Sequence, residues 1–147
     1  MNAPDRFALG CILVGFATAV AAPVPKELRA GDLHRIAGAW TLTKAHYGEA
    51  DFDSAVGTKW TLSTDGRALR DRPNDTVGKA TFKIDPGAGV KTFDWMTEEG
   101  NTFRGVYELD GDTFKVILKI EGGDRPRVCK PTEGAYCFEF RRAKRKR

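Results

Sequence analysis

Apolar residues recur at every second position through most of this chain, the period of strands that bury one face and wet the other. Trp40 and Leu42 share a face against Thr41 and Thr43, and Trp60 and Leu62 alternate with Lys59 and Thr61. Ala80, Phe82 and Ile84 follow, then Phe93 with Trp95, and Phe103, Gly105, Tyr107 with Leu109. Phe114, Val116, Leu118 and Ile120 form the longest run, and Tyr136, Phe138 and Phe140 the last. Asp65-Gly66 and Asp110-Gly111 between the runs are hairpin dipeptides; Asp85 to Gly89 and Glu99 to Asn101 are further breaks. Locally connected strands at this spacing predict an all-β fold, a single antiparallel meander closed into a small barrel or folded into a sandwich. Gly at 16 positions and Pro at seven argue against a helical bundle. Lys26 to Ala37 is the one segment expected to be helical, with Leu28, Leu33 and Ile36 as a narrow stripe that Gly31 interrupts.

Before the helix, residues 1–21 have the form of a secretory signal. Arg6 precedes an apolar run from Phe7 that ends at Ala19-Val20-Ala21, a small-x-small pattern suited to cleavage after Ala21. The run is about 15 residues, against the roughly 20 that a membrane span needs. An uncleaved N-terminal anchor is the alternative. The expected organisation is a signal over 1–21, a spacer over 22–27, a barrel domain over 28–142 and a basic tail over 143–147.

Removal of the signal changes what composition says. The 147-residue chain has a net charge of +4 and keeps it, since only Asp5 and Arg6 leave. Six of the remaining basic groups are Arg141, Arg142, Lys144, Arg145, Lys146 and Arg147. Without those six, 17 basic groups face 19 acidic ones, so the tail and not the domain is basic. That speaks against a nucleic-acid-binding face and suits an anionic surface or protein partner for the tail.

Cys11 leaves with the signal, so Cys129 and Cys137 remain as a pair in an exported chain. A disulfide between them is expected, worth about 2–3 kcal/mol in the chain-entropy model. The seven residues between them match neither a Cys-x-x-Cys redox pair nor a zinc spacing.

Leu33 to Leu42, with Gly38-Ala-Trp40 after a short helix, resembles the opening of a lipocalin-like domain. Three stretches narrow the likeness: Gly38 to Trp40; Ala80 to Pro86 with Lys91 to Asp94; and Gly105 to Lys115 with Asp124-Arg-Pro126. Over about Leu28 to Arg142 the chain resembles an uncharacterised family of small secreted domains of planctomycete-type bacteria. The resemblance implies a lipocalin-like (calycin-type) barrel and an export route, and brings no activity with it. The Cys129/Cys137 pair and the long basic tail depart from the family's pattern.

Trp40 is expected at a barrel end, covered by Arg141 or Arg142 from the last strand through a cation–π contact. Trp40, Trp60, Phe82, Trp95, Tyr107, Phe114 and Phe138 are candidates to line an apolar ligand cavity. The other possibility is that the same rings simply fill a small barrel. His46, Glu49, Asp51 and Asp53 gather in an expected solvated loop without a calcium-site pattern, so no metal or cofactor is expected. Only two histidines occur, and no nucleophile elbow, His-Glu-x-x-His pair or phosphate-binding glycine loop is present. The expected function is that of an exported, non-catalytic binding or interaction module for a small apolar ligand or an anionic surface. A filled barrel serving as an inert platform, or an enzyme of unfamiliar type, are the alternatives.

Overall fold

Helix α1 (Lys26–Ile36) leads into β1 (Gly38–Tyr47), followed by the two-residue β2 (Ala50–Asp51) and a 3-10 turn at Asp53–Ala55. Hairpin-connected strands make up the rest of the fold: β3 (Lys59–Leu62), β4 (Arg67–Asp71), β5 (Gly78–Asp85), β6 (Thr92–Thr97), β7 (Thr102–Asp110), β8 (Thr113–Ile120) and β9 (Tyr136–Arg142). These come from a computed structural model that describes residues 26–87, 89–120 and 123–144. The expected signal, together with Arg145, Lys146 and Arg147, lies outside the described residues.

Every neighbouring pair is antiparallel, and β9 pairs with β1 as well as β8. That closing pair decides between the two expected architectures. β1 and β3 to β9 form an eight-stranded closed barrel, with β2 as an extra strand on the end of β1. Closure satisfies strand edges that a sandwich would leave open. The expected turns fall between β3 and β4, β5 and β6, β6 and β7, and β7 and β8.

Two features of the barrel escape a simple period of two. β1 shifts register against β9 between Leu42 and Lys44, so Leu42 and Ala45 both face inward and Lys44 faces water. Between β7 and β8 the backbones approach so closely that a Cβ on Gly105 would lie 1.9 Å from the Ile117 carbonyl oxygen. Only glycine fits there.

The core lies inside the barrel and is largely aromatic. Trp40, Phe93, Phe114 and Phe140 have no solvent exposure, and Tyr107, Phe82, Trp60 and Trp95 have almost none. Each such ring contributes about 1.5–3 kcal/mol by area. A second, smaller cluster sits on the outside, where Val106 and Ile117 pair across β7 and β8 beneath Ala135. The connection after β8 covers it and is held by Arg125, whose Nη1 donates to Asp94 Oδ1 at 2.6 Å and to the Gly105 carbonyl at 2.8 Å. Ile120, expected on the inner face, ends β8 in solvent.

The expected disulfide is corrected here: Cys129 and Cys137 are free thiols. The β9 ladder fixes Cys137 opposite Ile117 and His46, while Cys129 comes from the outer connection; both pack half-buried against the small outer cluster. Burial, then Glu108 and Cys137, push the Cys129 thiol up to about 12. Burial also raises Cys137. Both shifts disfavour the thiolate, the nucleophilic form.

Candidate functional site

The two ends of the barrel differ. α1 crosses one end and seals it. Ile36 is fully buried there with Leu33 packed beside it, and Trp40 Nε1 donates to the Ile36 carbonyl at 2.7 Å. Arg142 covers the outer face of the Trp40 ring, its Cζ 4.2 Å from the ring centroid. The same guanidinium donates from Nη1 to the Ala37 carbonyl at 3.2 Å and from Nη2 to the Arg35 carbonyl. Gly38 makes this possible, having a φ of 125° that side-chain-bearing residues rarely adopt and a bare Cα, where a Cβ would lie a tight 3.1 Å from Arg142 Nη1.

Asp32 is the polar pin of this end. Its Oδ2 accepts from the Tyr107 hydroxyl at 2.7 Å and from Lys91 Nζ at 2.9 Å. Burial opposes the charge on Asp32, but the hydrogen bonds from Lys91 and Tyr107 outweigh it and lower the carboxyl's pKa. Burial and then the Asp32 bond raise the Tyr107 hydroxyl. Among the described residues, no buried side-chain nitrogen or oxygen is left without a partner.

The opposite end holds a cavity of about 280 Å³. Trp60 and Trp95, stacked with ring centroids 4.3 Å apart, form part of its wall. Phe138, Phe103, Tyr136 and Phe52 add four more rings, and Leu42 and Leu118 complete the apolar lining. The segment after β2 reaches this mouth because Phe52 N donates to the Ala45 carbonyl and Gly57 N to the Leu42 carbonyl. Thr58 Oγ1 closes the turn on the Ala55 carbonyl at 2.6 Å. Arg70, Arg72, Thr97, Glu99 and Asn101 supply the polar rim. The volume stands near the lower end, about 300 Å³, of small-molecule pockets.

The seven expected lining residues therefore divide between the two ends. Trp60, Trp95 and Phe138 line the cavity. Trp40, Phe82, Tyr107 and Phe114 do not; they fill the interior toward the sealed end, where Phe114 contacts Trp40, Phe93, Tyr107 and Phe140. Of the expected tail, Arg141 pairs with Thr41 and Thr113 within β9, and Arg142 is spent on Trp40 and the helix end. Lys144 is exposed.

The acidic loop resolves into the end of β1 and β2, with His46 Nδ1 3.0 Å from Asp51 Oδ1. Among the described residues, no three His, Cys, Asp or Glu side chains converge as metal ligands would. Sequence reasoning missed Phe52, the inward Arg70 and the rim residues Arg72, Thr97, Glu99 and Asn101. Phe52 carries a faint signal, a lone aromatic between two aspartates; Arg70 sits in a strand too charged to show its alternation. No family model, curated protein or solved structure matches this chain. The resemblance to small secreted lipocalin-like domains therefore rests on the quoted residues, and the closed barrel on the strand pairings alone.

Proposed function

We propose that this protein is an exported, non-catalytic binding module that takes a small, mainly apolar ligand into the open end of its barrel. One observation carries the reading: the interior is packed solid beneath α1, yet the same barrel keeps a cavity of about 280 Å³ lined by six aromatic rings at its other end. A core that served stability alone would gain by closing that space, because voids forfeit packing energy. Stacked rings with a polar rim suit a flat apolar body whose polar edge stays at the mouth. Export is part of the proposal and rests on residues 1–21.

Calorimetric titration of the purified protein with 2-naphthol at pH 7 tests the binding. Saturable one-to-one binding in the millimolar-to-micromolar range is expected, as suits so small a ligand. Ala55→Phe, which sets a ring in the mouth, should abolish it without unfolding the barrel. A wild-type protein that shows no saturable heat overturns the reading. The mass of the mature protein tests export separately, with loss of residues 1–21 as the expected result.

A further inference from the structure

Arg70 is an inward-facing cation beside the aromatic rings of the cavity. Ala68 and Arg70 share the inner register of β4, while Arg67, Leu69 and Asp71 face out. Arg70 stands opposite Trp60 on β3 and Gly78 on β5. Gly78 leaves the wall bare at that point, and the guanidinium lies against it: a Cβ there would be 3.3 Å from Nη2 and 3.5 Å from Nε. The side chain is thus laid along the cavity wall at half burial, where water solvates it only in part.

Its charge is poorly compensated. Burial, and then the neighbouring Arg72, lower the Arg70 pKa, and the charges of Asp75 and Glu99 oppose them without reversing the shift. Among the described residues, no carboxylate lies within 4.0 Å of Arg70. The two acids that offset the shift are engaged elsewhere. Asp75 accepts from Thr76 N at 2.7 Å and faces Arg72 at 3.9 Å. Glu99 is held by its own backbone N–H and then by the Thr97 hydroxyl. Arg70 therefore presents a planar set of donors beside a stacked pair of indoles with its electrostatic demand unmet.

We infer that the open-end cavity selects a compact aromatic carboxylate, with its ring against Trp60 and Trp95 and its carboxylate on Arg70. This rests on the ligand-binding reading above and names its ligand class. The volume, on the order of ten water molecules at about 30 Å³ each, suits a bicyclic ring and not a long acyl chain. A carboxylate matches the guanidinium in shape as well as charge, with two parallel N–H···O bonds. Arg72, at the rim, adds field without direct contact.

The test is a comparison of 2-naphthoate with 2-naphthamide, which has the same shape and no charge, by calorimetry at low salt. The acid should bind about 10-fold tighter or more, as a charge-assisted pair at a half-buried site requires. Arg70→Gln should bring the acid down to the affinity of the amide and leave the amide unchanged. Arg72→Gln should weaken the acid by about 3-fold or less. Equal binding of acid and amide by the wild-type protein overturns the inference and leaves the apolar reading standing, and this comparison needs no variant to fold. Unaltered naphthoate binding by folded Arg70→Gln overturns it as well. Failure of both probes to bind removes the reading beneath it.

Discussion

Trp40 and Trp60 stand opposite each other across the β1–β3 ladder and share the inner face of the barrel, yet they do different work. The Trp40 ring turns toward α1, bonds the Ile36 carbonyl and lies beneath Arg142. The Trp60 ring packs on Phe140, stacks on Trp95 and becomes part of a cavity wall. Two identical residues in one register thus divide the interior into a sealed half and an open half. Alternation decides that a side chain faces inward; what covers the end of the barrel decides whether the space around it is filled.

The sharpest way to break this contrast is at Trp40. Trp40→Ala should cost about 3–5 kcal/mol, because it opens a void under the helix and leaves Arg142 without its ring. Thermal or urea unfolding measures this directly. Arg142→Met, which keeps a similar stem without the charge, should cost about 2 kcal/mol through the lost cation–π contact and the two carbonyl bonds. If Arg142→Met unfolds no more easily than the wild type, the seal does not depend on that side chain.

Asp32 gives the same end a pH signature. Its folded-state pKa is lowered, so its contribution is present above the unfolded value near 4 and is lost as pH falls through the folded value. Tyr107 behaves oppositely: its raised pKa gives stability that is complete below about pH 10 and fades as the pH climbs above that. Asp32→Asn should therefore lower the melting temperature at pH 7, by the equivalent of about 1–2 kcal/mol, and converge on the wild type as the pH falls below the folded-state value. A pH-independent difference would contradict the assignment. At the open end, Phe103→Ala should cost well under the Trp40→Ala loss, about 1–2 kcal/mol, since the ring is only partly buried and lines a cavity. A loss there as large as that of Trp40→Ala would erase the distinction between the two halves.

Much of the fold is legible in the sequence because its elements are locally consistent. The runs at Phe82, Phe93, Phe114 and Phe138 sit on the faces that alternation assigns, and the Asp-Gly dipeptides fall in turns, between β3 and β4 and between β7 and β8. β4 is hidden because its outward Leu69 is apolar, its inward Arg70 is charged, and Arg67 and Asp71 flank them. The register shift in β1 is hidden because a bulge is set by the partner strand, β9, nearly 100 residues away. The outer cluster of Val106 and Ile117 looks like ordinary solvent-face positions until the connection after β8 covers it.

The candidate site is only partly legible for the same reason. Trp60, Trp95 and Phe138 are readable as inward aromatics, but nothing local separates them from Trp40, Phe82, Tyr107 and Phe114. The position of α1 across one end separates them, and that is a tertiary fact. Phe52 joins the site through backbone bonds back to β1, which no periodicity announces.

The three indole N–H resonances test the two-ended barrel most directly, since the chain has only Trp40, Trp60 and Trp95. In a two-dimensional ¹H–¹⁵N spectrum, saturating 2-naphthoate should shift the Trp60 and Trp95 indole signals and leave that of Trp40 where it is. A ligand that moves the Trp40 signal while sparing the other two, or one that binds and moves none of them, would contradict the account.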